Sequence, residues 1–314
     1  MPLTRIRALT ATLALLAGLA GAAGCGRPAD RDPAHVDMVA AFYPLQFVAE
    51  RVGGDDVRVT ALAQPGAEPH DLELTPRQVG SVSDAELAVY LRGFQPAVDE
   101  AIRQNAADRA FDVAAVQPLR AAVEAHPDGV AALVGHESAD TGGKDPHVWL
   151  DPIRLAAIAD ALAGRLAGAD PAHAAGYAAR AAALRADLTA LDRQYAAGLR
   201  TCQRRELVTS HEAFGYLADR YRLEQVGIAG LTPEQEPPPQ RLAAVARDAR
   251  AHGTTTIFFE SLASPRVAET IAREVGARTA VLDPIESRQP GATGDYLTMM
   301  RGNLAALRTA LGCS

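Results

Sequence analysis

The stretch PAHAAGYAARAAALRADLTALDRQYAAGL, residues 171–199, decides the fold, because it predicts one continuous helix of 29 residues. At about 1.5 Å of rise per residue, such a helix spans roughly 43 Å, which is more than one small lobe needs. Its apolar residues recur at alternating steps of four and three, as expected for one buried helical face: Tyr177, Ala181, Leu184, Leu188, Leu191 and Tyr195. We therefore predict a strut that joins two lobes. A buried helix within one larger domain is the alternative, and it stays open at this point.

Short β-rich runs alternate with helical runs on both sides of this helix. Strands are predicted at residues 37–42, 57–61, 86–91 and 110–113 before it, and at 206–209, 224–227, 255–259 and 279–282 after it. Such β-α alternation produces a mostly parallel sheet. The sequence thus predicts an α/β fold with two Rossmann-like lobes joined by one long rigid helix. The predicted boundaries are 36–168 for the N-terminal lobe, 169–199 for the linking helix and 200–314 for the C-terminal lobe.

The N-terminus is typical of an exported protein. Arg5 and Arg7 precede an apolar run over residues 8–23 and then Gly24-Cys25, which matches the charged, apolar and small-residue regions of a signal peptide. The run is shorter than the roughly 20 residues of a membrane-spanning helix. We predict a signal peptide over residues 1–24, lipidation of Cys25 and a polar tether over residues 25–35. This places the protein outside the cytoplasm, on the outer face of the cytoplasmic membrane or in the periplasm. The alternative is an ordinary cleaved signal in which Cys25 is incidental.

Composition and charge limit the possible functions. The chain has 314 residues, 48% of them hydrophobic, and a formal net charge of −7, so it is globular and its acidic balance argues against nucleic acid as a partner. Cys202 and Cys313 are candidates for one disulfide in an exported protein, and two unpaired thiols are the alternative. We expect a monomer.

Three histidines lie in stiff sequence contexts and are the candidate metal ligands. They are His70 in PGAEPHD, His147 between two Asp-Pro pairs, and His211 in TSHEAFG. His70, His211 and Asp283 each follow a predicted strand, and open α/β sheets bind ligands at the carboxyl ends of their strands. Three imidazoles and the carboxylate of Asp283 form an N3O set that suits tetrahedral zinc. We therefore predict that these four side chains meet on one Zn²⁺ ion.

Other acidic and histidine residues have secondary roles in this prediction. Glu260 is a rival fourth ligand, and water is a third possibility for that position. Glu68 or Glu212 could hold the second ring nitrogen of a ligating histidine. The loop over residues 126–144 is a candidate lid, in which His126 and His136 either collect metal or are simply solvated. The five histidines without a comparable context are His35, His126, His136, His173 and His252.

Four motifs in order resemble the zinc-binding, ZnuA/TroA-like lipoproteins among the cluster A-I metal solute-binding proteins. They are PGAEPH at residues 65–70, HVWLDP at 147–152, SHEAFGY at 210–216 and LDP at 282–284. The resemblance covers residues 36–311 and implies two α/β lobes bridged by a rigid helix and delivery of the metal to an ABC permease. It also implies His70, His147 and His211 as ligands, with Asp283 fourth. Related manganese binders tend to carry a glutamate at the position of His211, so the resemblance favours zinc, and a manganese or iron receptor is the alternative.

A zinc hydrolase is the competing class of function. Such an enzyme needs an open coordination position for an activated water. The sequence has neither a His-Glu-x-x-His helix nor a Gly-x-Ser-x-Gly elbow, and a fourth protein ligand would close the shell. We therefore predict a receptor rather than an enzyme.

Overall fold

Two four-stranded parallel sheets form the frame of this computed structural model, which describes residues 35–121, 143–233 and 236–314. The first sheet and its helices precede the long helix. In chain order they are β1 (Val36–Ala40), α1 (Tyr43–Gly53), β2 (Val57–Ala61), α2 (Pro76–Asp84), β3 (Leu87–Tyr90), α3 (Pro96–Asn105), β4 (Ala110–Asp112) and α4 (Val113–Val116).

The second half repeats this plan after two connecting helices, α5 (Pro152–Ala169) and α6 (Ala174–Gly198). Its elements are β5 (Glu206–Thr209), α7 (Gly215–Tyr221), β6 (Glu224–Gly227), α8 (Pro239–Ala251), β7 (Thr256–Phe259), α9 (Arg266–Val275), β8 (Arg278–Val281) and α10 (Tyr296–Leu311). The strand orders are β2-β1-β3-β4 and β6-β5-β7-β8, and every pairing is parallel. The predicted fold of two α/β lobes with parallel sheets is confirmed.

The long helix is one α-helix preceded by a short 3-10 turn, Pro171–His173. Every residue of the predicted apolar stripe is buried along it: Tyr177, Ala181, Leu184, Leu188, Leu191 and Tyr195. The helix packs along α5 and also contacts α1 and α10, so elements from both halves cover it. The two lobes and this helix form a single compact unit from residue 34 onward. The domain boundaries at residues 168 and 199 stay predictions.

A disulfide closes the C-terminus onto the start of the second half. Cys202 and Cys313 are bonded, which confirms the predicted pairing. The bond follows α10 and lies beside a backbone contact between the same two residues. It fixes the last helix against the segment that leads into β5.

Several predictions concern residues outside the described part of the chain. These are the signal peptide, the lipidated Cys25, most of the tether, and His126 and His136 of the proposed lid. Within the described residues, none of the helices combines the length and apolar character that crossing a bilayer requires.

Candidate metal centre

Three histidines and one glutamate from four distant segments converge between the two lobes. His70 comes from the loop after β2, His147 from the turn before α5, His211 from the loop after β5 and Glu286 from the segment after β8. The Nε2 atoms of His70, His147 and His211 lie 3.5, 3.0 and 3.4 Å from the same oxygen, Oε1 of Glu286. The Nε2 atoms of His147 and His211 are 3.3 Å apart. The four ligand atoms therefore surround a point that one cation could occupy.

This cluster is almost completely shielded from solvent. The side chains of His147 and His211 are fully buried, and those of Glu286 and His70 are 4% and 8% exposed. Phe94 packs edge-on against His70 with ring centroids 4.6 Å apart and also contacts the ring of His147. Among the described residues, His70 Nε2 and Glu286 Oε1 are buried without a hydrogen bond. Buried polar atoms normally have partners, so these two atoms indicate a ligand in the centre of the cluster.

Two carboxylates outside the centre orient the imidazoles. Asp145 Oδ1 lies 2.8 Å from His147 Nδ1 and also accepts a bond from the backbone N–H of His147, at 3.0 Å. Glu260 Oε1 lies 2.5 Å from His211 Nδ1. A carboxylate can only accept, so the proton of each ring is held on Nδ1 and the Nε2 lone pair faces the centre. Such carboxylate–histidine pairs are the usual support of metal-ligating imidazoles.

Electrostatics within the cluster favour negative charge on Glu286 and positive charge around it. Burial alone would raise the pKa of Glu286, but the neighbouring imidazoles, His70 first, lower it well below its usual range. Burial would likewise lower the pKa of His147 and of His211. The hydrogen bond to Asp145 and the charges of Asp145 and Glu286 raise the first instead, and Glu260 and Glu286 raise the second well above its usual value. Without metal, protons therefore occupy positions that a cation would take.

A left-handed turn aims Glu286 into the centre. Ile285 has φ of 60°, a conformation that β-branched residues rarely adopt, and its backbone N–H donates to Asp283 Oδ1 at 2.7 Å. The preceding carbonyl, that of Pro284, accepts a bond from Trp149 Nε1 at 2.8 Å. Backbone strain of this kind persists only where the surroundings enforce it and is common at binding sites.

Asp283, the predicted fourth ligand, does not belong to this group. Its carboxylate accepts bonds from the hydroxyl of Ser261 and from the Ile285 N–H, and its backbone is bonded on both sides to Asn303. The structure instead brings Glu286, three residues later, to the histidines. Asp283 thus shapes the turn that carries Glu286.

The secondary candidates occupy different positions around the site. Glu260 lies behind His211, as an orienting carboxylate, and the hydroxyl of Ser210 also donates to it. Glu68 accepts a bond from the backbone N–H of His70, at 3.2 Å. Glu212 points instead toward Arg241, whose Nη2 lies 3.4 Å from Glu212 Oε1. Sequence reasoning did not assign the orienting role of Asp145, although its place two residues before His147 allows the turn that forms both bonds.

Known proteins share both the sequence and the fold of this chain. It is 32% identical over 301 residues to the high-affinity zinc uptake system protein ZnuA of Bacillus subtilis. This alignment covers 92% of this chain and 93% of that protein. It is 32% identical over 285 residues to the zinc-binding lipoprotein AdcA of Streptococcus pneumoniae, covering 87% of this chain but only 55% of AdcA. A crystal structure of a zinc-bound variant of AdcAII from Streptococcus pneumoniae superimposes with a TM-score of 0.76 at 27% identity, over 88% of this chain and 99% of that one.

The family follows from the extent of the match. The profile of the family described as zinc-uptake complex component A, periplasmic (ZnuA), matches residues 38–310, which include both lobes and all four converging side chains. The chain belongs to this ZnuA family of zinc-uptake proteins.

Proposed function

We propose that this protein is an extracytoplasmic receptor that captures Zn²⁺ through His70, His147, His211 and Glu286 and delivers it to an ABC permease. The observation that supports this most is the convergence of three imidazole Nε2 atoms on one glutamate oxygen, at 3.0 to 3.5 Å, in a buried site. Three nitrogens and one carboxylate oxygen form the borderline donor set that tetrahedral zinc prefers. Zinc is here the cargo rather than a resident cofactor.

A closed ligand shell supports a receptor rather than a hydrolase. Zinc enzymes use three protein ligands and leave the fourth position to water. Here four side chains supply one ligand atom each, and all four atoms lie within 4.8 Å of one another. Together with the exclusion of solvent, this arrangement supports a site that holds an ion rather than one that activates a water.

The same donor set supports zinc over manganese or iron as the cargo. Manganese sites are richer in oxygen ligands, whereas this one has a single carboxylate and three imidazoles. A titration in which zinc and manganese compete for the metal-free protein tests this preference, and a manganese preference would contradict it.

Delivery to a permease requires a location outside the cytoplasm and a way to release the ion. The signal-peptide pattern over residues 1–24 supports export, and Cys25 supports anchoring through a lipid, as in the lipoprotein AdcA. We propose a monomer that releases zinc through limited loop or lobe movement. Comparison of metal-free and zinc-bound crystals tests this, and a rotation of tens of degrees between the lobes would contradict it.

Zinc-limited growth of cells tests the function directly. A strain that lacks its own receptor should regain zinc uptake with the wild-type protein and with His173→Ala, whose imidazole lies at the distant start of α6. His147→Ala should fail to restore uptake, although it is exported and folded. Equal uptake with His147→Ala and the wild type would refute the receptor function at this site.

A further inference from the structure

A second cluster of metal-binding side chains lies at the opposite end of β5 from His211. It consists of Glu206, Asp248 and His252, and we call it the distal cluster. Glu206 begins β5, whereas Asp248 and His252 lie one turn apart at the C-terminal end of α8. The four residues of β5 span about 10 Å at the usual strand rise, so the distal cluster is separate from the zinc site.

Three oxygens converge on one nitrogen in this cluster. His252 Nδ1 lies 2.7 Å from Glu206 Oε2, 3.4 Å from Asp248 Oδ1 and 3.1 Å from the backbone carbonyl oxygen of Asp248. An imidazole nitrogen carries at most one hydrogen, so it cannot satisfy all three acceptors. A cation placed among these atoms could bind both carboxylates and the imidazole together.

Three carboxylates meet two cationic side chains near this point, His252 and Arg241, which interacts with Asp248 and also pairs with Glu212. Glu206 is paired in register with Glu224 of β6, so three carboxylates lie around the single imidazole of His252. The C-terminal end of α8 adds the negative end of a helix dipole. The Glu206 side chain is only 6% exposed, and its other oxygen accepts a hydrogen bond of 2.6 Å from the Thr254 hydroxyl. A buried carboxylate in such a place is stabilised by a bound cation.

A comparable histidine elsewhere shows what a simple ion pair looks like. His173 is as exposed as His252, at 47%, and its Nδ1 lies 2.6 Å from Asp170 Oδ2. The second carboxylate there, Asp56, faces the other ring nitrogen at 3.8 Å and is paired with Arg180 at 2.6 Å. The two carboxylates therefore cannot converge on one ion, and His173 provides a matched control.

We propose that the distal cluster is a second divalent-cation site, with Glu206, Asp248 and His252 as ligands and water completing the shell. One nitrogen and two oxygens suit zinc and similar borderline cations. Because it has three protein ligands instead of four, and one of them is about half exposed, this site binds zinc more weakly than the central site. The proposal does not depend on the proposed receptor function.

Equilibrium dialysis of the full mature protein against zinc alone tests this proposal. The wild type and His173→Ala should each bind two zinc ions, one tightly and one weakly. His252→Ala should keep the tight ion and lose more than about tenfold in affinity for the weak one, since even outer-shell changes at metal sites cost about that much. His147→Ala should show the converse pattern, which separates this result from a failure of the receptor function.

Two further variants keep the test decisive. A His126→Ala/His136→Ala double variant should retain the weak ion, because those histidines belong to another segment. If it loses the weak ion, if the wild type binds a single zinc, or if His252→Ala retains both ions, the proposal is wrong. Should His252→Ala fail to fold, Asp248→Asn removes a ligand whose side chain is partly exposed. It should likewise keep the tightly bound ion and lose affinity for the weak one.

Discussion

Replacing Glu286 with glutamine tests the central site most sharply, with Asp283→Asn as the matched control. Both changes remove one carboxylate charge from the same short segment and keep the side-chain shape. Glu286 Oε1 lies 3.0 to 3.5 Å from three histidine Nε2 atoms, whereas Asp283 bonds Ser261 and the Ile285 N–H. Only the first change should remove a ligand of the ion.

The expected loss follows from the ligand role. Changes in groups behind a metal ligand typically reduce affinity about 10- to 100-fold, so loss of a ligand should reach at least the upper end, about 100-fold. This corresponds to about 2.7 kcal/mol. Asp283→Asn acts only through the turn and should weaken binding by about tenfold or less.

The effect should also depend on pH. Zinc must displace protons from His147 and His211, whose pKa values are raised in part by Glu286. Glutamine removes that charge, so both pKa values fall and protons compete less in the variant. The wild type should therefore lose affinity more steeply than Glu286→Gln as pH falls from about 8 to about 6, and the gap between them should be largest at alkaline pH.

Competition with a chromophoric zinc chelator at both pH values measures these affinities, and urea unfolding of the metal-free proteins confirms that each variant folds. If Glu286→Gln binds zinc like the wild type while Asp283→Asn is strongly weakened, the fourth ligand is Asp283 and our reading of the site is wrong.

Three further predictions concern stability. At a free zinc concentration 100 times the dissociation constant, zinc should raise the free energy of unfolding by about 2.7 kcal/mol, and EDTA should reverse this in a thermal melt. Burial raises the pKa of Glu212 to about 7, although the charge of Arg241 opposes this shift. The folded protein therefore favours the protonated carboxyl, and its stability falls as pH rises from about 4.5 to about 7. The free energy of unfolding of Glu212→Gln, measured with urea, should therefore match that of the metal-free wild type at pH 5 and exceed it at pH 8 by about 3 kcal/mol at most. Equal stability of the two proteins at pH 8 would contradict this. Trp149→Phe leaves the Pro284 carbonyl without its donor and should cost about 1–3 kcal/mol in the same assay, whereas an unchanged midpoint would show that this bond contributes little.

The sequence predicted the parts of the fold that depend on simple periodicity. All six residues of the predicted apolar stripe on the long helix are buried, because one helical face must be covered whatever lies next to it. The positions of His70 and His211 were also predictable, since each follows a parallel strand and so lies at the carboxyl edge of its own sheet, but their approach across the two lobes rested on the motifs. Their meeting with His147 rested on the motifs as well, because that residue follows no strand.

The fourth member of the cluster could not be predicted in the same way. The choice between Asp283 and Glu286 depends on one turn, in which Ile285 adopts φ of 60°. Sequence rules assign such a conformation to glycine or asparagine, so isoleucine gave no signal of it. The sequence favours Asp283 because it directly follows a predicted strand, whereas in the structure its short side chain accepts the bond that holds the turn.

The distribution of contacts around the centre indicates which ligand releases first. His147 and His211 are fully buried and each has a carboxylate at its Nδ1, whereas the bond that Glu68 accepts comes from the backbone N–H of His70 and not from its ring. His70 is also the most exposed of the three imidazoles, at 8%. Trp149 anchors the Glu286 segment to the other half of the chain through a bond that needs no metal, so that side of the centre is already in place before the ion arrives. We therefore expect the His70 loop to open first, so that loosening this loop should accelerate the exchange of zinc more than loosening any other ligand segment.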